Sequence, residues 1–211
     1  MKLALTASIT LVVLASAMFG SVTFAYFSDI ETSTGNTFTA GTLDLKVSDS
    51  DETTFKDGVT ATWTVSDIKP GDTLGPHSVW LRNFGTVEGD HVEIKCINVV
   101  TDPPGPESDT EESTTDMDKA MKIIYLGYNG TNLLSILTDL NSNGIIDLDD
   151  FENWNGGEGF DNITPVPAAN QAYQTTLTME LQFDPILGDN DYQGDTLTVT
   201  ILFTLNQHSS Q

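Results

Sequence analysis

Oxygen-bearing side chains recur at alternate positions in residues 139–150, which read DLNSNGIIDLDD. Aligned with an EF-hand loop, the segment places side-chain oxygens at the first, third, fifth, ninth and twelfth positions and a backbone carbonyl at the seventh. Gly144 falls at the sixth position, where such a loop turns sharply. Calcium takes about six to eight oxygen ligands, so this spacing predicts a structural calcium site. The predicted ligands are Asp139, Asn141, Asn143, Ile145, Asp147 and Asp150.

The twelfth position of this loop is Asp150 rather than a Glu, so the loop is more similar to dockerin-type loops than to sensor EF-hands. A structural role is predicted rather than sensing, because no paired second loop and no Met-rich target groove accompany it. Residues 148–154 are expected to form a short helix, since acidic residues suit a helix N-terminus. The alternative interpretation is an acidic, Asn-rich turn that binds no metal.

Three histidines, His77, His91 and His208, are the other residues that could hold a metal. None lies in a His-Glu-x-x-His motif, and no helix is predicted that would carry one. His77 and His91 could meet across strands, but the sequence indicates no third zinc ligand. No Gly-x-Ser-x-Gly segment supports a serine hydrolase either. The sequence therefore predicts that the protein is not an enzyme, and it identifies no catalytic residue.

The segments that must position these residues alternate between apolar and polar residues with period two. Residues 195–205 place large apolar side chains on one face and mostly Thr on the other, and residues 175–183 and 59–65 repeat the pattern. Such alternation buries one face of a strand, whereas a helix would scatter the apolar residues around its axis. Further strands are predicted at residues 37–47, 78–84, 91–100 and 122–128, with a bulge near Ile97. The predicted fold class is all-β: a jelly-roll-like antiparallel β-sandwich with an acidic loop insert and an EF-hand/dockerin-like calcium loop.

The domain organisation follows from composition. Residues 1–25 have a basic start, an apolar middle and small residues at Thr23 and Ala25, which predicts a secretory signal peptide cleaved after Ala25. Retention of this segment as a membrane anchor is the alternative. Residues 26–211 are predicted to form the β-sandwich domain, with an acidic disordered insert at 101–118 and a calcium-loop insert at 139–163. Asn-x-Thr sequons at Asn129 and Asn162 predict glycosylation sites outside the cell.

The charge of the chain excludes two classes of partner. Eight basic residues stand against 31 acidic ones, for a net charge of -23. Nucleic acid and anionic lipid both require a basic surface, so neither is predicted as a partner, and membrane contact is expected only during export. The chain has one cysteine, Cys96, which excludes an intrachain disulfide and is predicted to be a small buried residue.

Three segments together resemble the TasA/camelysin family of exported matrix proteins. The first follows the predicted cleavage site and contains Phe27, Asp29, Ile30, Phe38 and the Gly-Thr-Leu-Asp-Leu stretch at 41–45. The second combines a Pro-Gly-Asp turn at 68–72 with an Asn-x-Gly-Thr edge at 81–86, and the third is 192–195 before the last predicted strand, with Gln207 after it. The resemblance spans most of residues 26–211, with the acidic insert and the calcium loop as additions.

This resemblance implies a jelly-roll subunit that is exported through a SipW-type signal peptidase. Subunits of the family self-associate into biofilm-matrix fibres or bundling pili by donor-strand exchange, in which the N-terminal segment of one subunit fills a groove in the next. Here the candidate donor strand is residues 26–38, and its apolar anchors for polymerisation are Phe27, Ile30 and Phe38. The step from Phe27 to Ile30 covers three residues, so a regular period-two donor is not evident. An intramolecular edge strand or a plain linker is the alternative.

The sequence therefore predicts a secreted structural subunit of extracellular filaments, stabilised by calcium, with other matrix subunits as further candidate partners. Some relatives are described as metalloproteases, so a secreted camelysin-like metalloprotease is one alternative. A monomeric calcium-dependent adhesion or carbohydrate-binding module is another, because Trp63, Trp80 and Trp154 could stack on sugar. Trp63 is nevertheless predicted to lie in the core, on the same strand face as Val59 and Val65.

Overall fold

A computed structural model describes residues 40–49, 53–59, 63, 68–101, 116–189, 192 and 195–208. The predicted signal peptide and the candidate donor strand, with Phe27, Ile30 and Phe38, lie outside the described residues. So do residues 102–115 of the predicted acidic insert and most of the strand predicted at 59–65. The predicted bounds of the insert, 101–118, are wrong at both ends, because Thr101 is the last residue of a strand and residues 117–118 begin a short helix.

Antiparallel strands dominate the described residues. Two short helices, α1 (Met117–Ala120) and α2 (Leu148–Asn153), and two 3-10 turns, Trp154–Gly157 and Ala169–Gln171, join them. The strands are β1 (Leu45–Ser48), β2 (Thr73–Asn83), β3 (His91–Thr101), β4 (Met121–Tyr128), β5 (Thr131–Asn132), β6 (Phe160–Ile163), β7 (Gln174–Phe183) and β8 (Thr196–Asn206). The prediction of an all-β, antiparallel fold is thus confirmed, and the jelly-roll assignment stays a prediction.

The strands form two sheets. One has five strands in the order β1-β2-β7-β4-β5, and the other has three in the order β6-β3-β8. The central strand β7 buries every second side chain, from Thr175 to Phe183, because strand side chains alternate between the two faces. Inward-facing residues of β2, β4 and β7 in one sheet and of β3 in the other belong to a single hydrophobic core. Cys96 lies in this core as a fully buried free thiol, as predicted.

A bulge interrupts β2 near the point where Trp63 contacts β7. The register between β2 and β7 shifts between Leu74 and His77, where Pro76 has no N–H to contribute to the ladder. Nearby, the indole N–H of Trp63 donates a hydrogen bond to the carbonyl of Met179 on β7, at 3.0 Å. Trp63 packs against the core, but it is only half-buried and lies in a turn, not in the strand that the sequence predicted.

The bulge predicted near Ile97 is wrong. β3 pairs with β8 in unbroken register, from His91 opposite Asn206 to Thr101 opposite Thr196. The apolar pattern changes phase because Asn98 occupies an inward position of β3. Its side-chain amide donates to the carbonyl of Leu148 at 2.8 Å, and its backbone N–H donates to Glu152 Oε1 at 3.0 Å. These partners on α2 allow a polar residue to stand on the apolar face.

The strand β6 was not predicted. It lies inside the segment assigned to the calcium-loop insert and pairs with β3, with Val92 opposite Ile163 and Ile94 opposite Phe160. Four residues that include Asp161 and Asn162 carry too little alternation to indicate a strand. The pairing of β6 with β3 brings Asp161 beside the start of β3.

Candidate metal centres

The helix α2 fixes the end of the predicted calcium loop. Asp147 precedes the helix, and its side chain accepts a hydrogen bond from the backbone N–H of Asp150 at 2.9 Å. Asp150 reciprocates, since its Oδ2 accepts from the backbone N–H of Asp147 at 3.1 Å. This capping box satisfies two otherwise unpaired N–H groups and holds both carboxylates in place. The short helix predicted here is confirmed.

The loop closes on itself through its oxygen-bearing side chains. Asp139 accepts hydrogen bonds from the backbone N–H of Asn143 (3.2 Å) and of Gly144 (2.8 Å). The side-chain amide of Asn143 donates to Asp147 Oδ2 at 2.7 Å, and that of Asn141 donates to the same oxygen at 3.1 Å. The structure therefore brings together five of the side chains predicted as ligands. The sixth predicted ligand is the backbone carbonyl of Ile145. The backbone N–H of Ile145 donates a hydrogen bond to Asn143 Oδ1 at 3.0 Å.

Gly144 has the backbone conformation that the sixth loop position requires. Its φ is 94°, in the region that glycine enters far more readily than other residues. A Cβ atom added there would meet nothing within 4 Å, so the constraint is conformational and not steric. The turn lets the chain reverse between Asn143 and Asp147, which is what allows their side chains to meet.

Burial makes the negative charges of the loop unfavourable. Asp147 is fully buried, and this burial raises its pKa to about 6, although hydrogen bonds from Asp150, Asn141 and Asn143 oppose the change. Burial likewise raises the pKa of Asp150, against three backbone N–H donors. A carboxylate with a raised pKa is one whose charge the protein stabilises less well than water does. A bound cation would supply the missing compensation.

Two further acidic residues, missed in the sequence, approach the loop. Asp149 Oδ2 accepts from the amide of Asn141 at 3.0 Å, and Asp147, Asp149 and Asp150 offer oxygens within 4.8 Å of one another. Asp118, on α1, is 7% exposed, and among the described residues its Oδ1 has no hydrogen-bond donor. Burial and then the charge of Asp149 raise the pKa of Asp118 to about 6. Sequence analysis missed Asp118 because it assigned this residue to the disordered insert at 101–118, whereas the structure places it in α1, which packs beside the loop.

A second cluster unites His91, Glu93 and Asp161, each offering one ligand atom within 4.8 Å of the others. His91 Nε2 lies 3.5 Å from Glu93 Oε1 and 3.4 Å from Asp161 Oδ1, while Nδ1 lies 3.2 Å from Asp90 Oδ2. His77 does not join it: it lies exposed on β2, in the other sheet. The predicted pairing of His77 with His91 is therefore wrong. The residues beside His91 are Glu93 of the same strand and Asp161 of β6, which is 70 residues away along the chain.

The two sequons occupy different surroundings. Asn129 is half-buried in the turn after β4, where its side-chain amide donates to the hydroxyl of Tyr173 at 2.9 Å. Asn162 is exposed on β6, and its amide donates to Asp161 Oδ2 at 2.9 Å. Glycosylation of both stays a prediction. Among the described residues, no helix has the length and apolar character needed to cross a bilayer.

Comparison with known proteins gives the family. The family model described as camelysin metallo-endopeptidase matches residues 1–211. The chain belongs to the camelysin family. The resemblance to TasA/camelysin proteins is thereby confirmed over the whole chain. A comparison with curated proteins finds no match.

The family description implies a metal ion, and two clusters of this camelysin-family protein have side chains suited to one. The loop at 139–150 offers oxygen donors, which suit a hard cation. The His91 cluster offers one imidazole nitrogen and two carboxylates, which is the number of protein ligands found in open zinc sites. The donor sets thus fit two different kinds of ion.

Proposed function

We propose that this protein is a secreted structural subunit that polymerises into extracellular filaments by donor-strand exchange and is stabilised by calcium. The observation that carries the proposal is the edge strand β8. It pairs with β3 along its 11 residues, and no described strand pairs with its other side. An unpaired edge of this length is a template for another chain.

β8 also lacks the features that protect an edge from such pairing. Its outward residues are Thr196, Thr198, Thr200, Leu202 and Thr204, so it presents neither charge nor proline to solvent. The remaining described edges are shorter: β1 has four residues and is bridged by Lys56, β5 has two and β6 has four. Of the described strands, β8 is therefore the one that offers a long acceptor.

The inner face of β8 is incompletely covered. Leu197, Val199, Ile201 and Phe203 pack against the core but remain half-buried, and Leu205 alone of this row is buried. The corresponding row of β7 is buried from end to end. A donor strand beside β8 would cover the exposed parts of these side chains and would satisfy the backbone groups of the edge.

Residues 26–38 are the candidate donor. Burial of Phe27, Ile30 and Phe38 in a neighbouring subunit would contribute roughly 4–8 kcal/mol before the cost of ordering the segment, at about 1.5–3 kcal/mol for each side chain. A contact of this head-to-tail kind does not close on itself, so it propagates as a filament. The jelly-roll topology of the family provides such a groove, and we assign the same topology to this chain.

Calcium enters the proposal through α2. The predicted loop leads directly into this helix, whose Leu148 carbonyl and Glu152 side chain hold Asn98 of β3. β3 is the strand on which β8 is built. A calcium ion at the loop would offset the charge of its buried carboxylates and would stabilise the support of the acceptor edge.

Deletion of residues 26–38 tests the polymer. Electron microscopy of the secreted intact protein should show filaments, and the deletion variant should give none. Thr200→Lys places a charge on the open edge and should weaken assembly, whereas Thr73→Lys makes the same change at an exposed position of the other sheet and should leave it unaffected. Unchanged filaments after the deletion would reject donor-strand exchange.

A metal-dependent endopeptidase is the second candidate, because the family description names that activity. Casein cleavage by the purified protein, with added zinc and with chelator, separates the two functions. Cleavage that requires the metal would support the enzyme, and its absence in filament-forming protein would support the structural subunit. A monomeric carbohydrate-binding module is less well supported, since Trp63, Trp80 and Trp154 are all partly buried.

A further inference from the structure

The His91 cluster lies where all three strands of the smaller sheet come together. His91 and Glu93 belong to β3, Asp161 belongs to β6, and Asn206 at the end of β8 lies against the same imidazole, with its amide nitrogen 3.2 Å from Nε2. Asn206 and His91 are 115 residues apart in the chain. A ligand bound here would therefore connect β6, β3 and β8.

The distances within the cluster match those around a tetrahedral ion. Zinc forms bonds of about 2.0–2.2 Å to nitrogen and oxygen, so two donors on a tetrahedral zinc ion lie about 3.3–3.6 Å apart. His91 Nε2 lies 3.5 Å from Glu93 Oε1 and 3.4 Å from Asp161 Oδ1. Both carboxylates thus lie at ligand spacing from Nε2, and the three ligand atoms all lie within 4.8 Å of one another.

The environment of His91 aims the correct nitrogen at that position. The carboxylate of Asp90 lies 3.2 Å from Nδ1, which favours a proton on Nδ1 and an unprotonated Nε2, the nitrogen that lies within 3.5 Å of Glu93 and Asp161. The ring itself is 2% exposed, so its orientation is fixed by packing. Asp161 is held in turn, because its Oδ2 accepts from the side-chain amide of Asn162 at 2.9 Å.

The carboxylates of Glu93 and Asp161 converge on the same imidazole nitrogen, so the cluster is negatively charged and a metal ion would compensate that charge. Glu93 and Asp161 are about one-third exposed, with side-chain exposures of 34% and 35%, which leaves access for an ion and for water as a further ligand. A half-turn of the Asn206 amide would present its oxygen in place of its nitrogen, as another ligand.

We propose that His91, Glu93 and Asp161 bind one transition-metal ion, with zinc as the best fit, and that the ion joins the three strands of the smaller sheet. The mixture of imidazole and carboxylate suits zinc, whereas calcium prefers oxygen ligands alone. This site is separate from the loop at 139–150 and does not depend on the protein forming filaments. Asp90 is a positioning residue that orients the imidazole without touching the ion.

Cobalt titration tests the site directly. The intact chain is stripped of metal with a chelator, transferred to buffer with excess calcium so that the loop at 139–150 is saturated, and titrated with Co²⁺. One equivalent of Co²⁺ should produce the intense visible absorption of a tetrahedral ion, and Zn²⁺ should displace it. His91→Gln should abolish the signal, and Asp90→Asn should weaken binding about 10–100-fold.

Matched variants make each outcome decisive. Glu93→Gln and Asp161→Asn should each lower the affinity for cobalt at least about tenfold. If circular dichroism shows that His91→Gln does not fold, these two variants at partly exposed positions test the site in its place. His77→Gln, at an exposed histidine, and Asp139→Asn, in the acidic loop, should leave the signal unchanged. The proposal is overturned if no tetrahedral signal forms, if the signal survives His91→Gln in folded protein, or if it disappears in His77→Gln.

Discussion

We expect the metal-free protein to become more stable as the pH falls from 7.5 to 5, and calcium at the proposed loop site to oppose this change. Burial raises the pKa values of Asp147 and Asp118 to about 6, whereas an Asp in an unfolded chain has a pKa of about 3.9. Because the folded state binds these protons more tightly, their contribution to stability is complete below about pH 4 and is lost as the pH rises through about 6. Metal-free protein should therefore be more stable at pH 5 than at pH 7.5.

The magnitude follows from the same two carboxyl groups. At pH 5, one unit below a folded pKa of about 6, each group contributes about 1.4 kcal/mol relative to pH 7.5. The pair then gives about 2–3 kcal/mol, which corresponds to an increase in Tm of roughly 5–10 °C for a domain of this size. Calcium should act in the opposite direction, because it requires the ionised carboxylates. At about 100 times its Kd it would add about 2.7 kcal/mol at pH 7.5 and progressively less as protons compete.

Calorimetric melts at pH 5 and pH 7.5, each with chelator and with calcium, measure all four states. Asp147→Asn should remove about half of the stabilisation that acid gives the metal-free protein and should abolish the calcium response, while Asn still caps α2. Glu158→Gln removes a carboxylate just beyond the helix and should change neither. If metal-free protein melts at the same or a higher temperature at pH 7.5 than at pH 5, the argument from buried charge fails. A calcium response that survives Asp147→Asn would exclude the loop as the site.

The remaining predictions concern the core. Cys96 is fully buried, and burial raises the pKa of its thiol far above the usual range, so iodoacetamide should label it only in denaturant; rapid labelling of native protein would contradict this. Tyr128→Phe should lower the free energy of unfolding in urea by about 1–3 kcal/mol, because the buried hydroxyl lies 2.7 Å from Thr175 Oγ1 and the substitution leaves that group without its partner. Gly159→Ala should destabilise by more than about 2 kcal/mol, since φ is 78° and the new Cβ would meet the Ile94 carbonyl; a change below about 1 kcal/mol would contradict that close approach.

The strands that sequence analysis identified best are those with one fully apolar face. β7 and β8 were predicted within one residue at each end, because burial of a single face leaves a period-two pattern that no helix shares. The short helix α2 was also predicted, since its capping residues lie next to it in the chain. In these cases the information that determines the structure is local.

The features that sequence analysis missed depend on partners far away in the chain. The change of apolar phase near Ile97 was interpreted as a bulge, whereas Asn98 stands on the inner face of β3 because α2, 50 residues away, satisfies its amide. Asp118 meets the acidic loop only because α1 packs beside it, and Asp161 reaches His91 only because the short strand β6 pairs with β3. Alternation and motif spacing describe one segment at a time, so they cannot indicate such meetings.

Contacts between residues far apart in the chain also connect the loop at 139–150 with the edge strand β8, through α2 and β3. Among the described strands β8 has one neighbour, β3, so contacts that hold β3 in place also hold the edge of β8. At Asn98 the support comes from α2, the helix that follows the acidic loop, and at His91 it comes from the cluster that includes Asp161 of β6. Asn98 lies opposite Val199 in the middle of β8, and His91 lies opposite Asn206 at its end. Both candidate metal centres are therefore connected to the strand that positions β8, and we expect an ion at either proposed site to stabilise this edge.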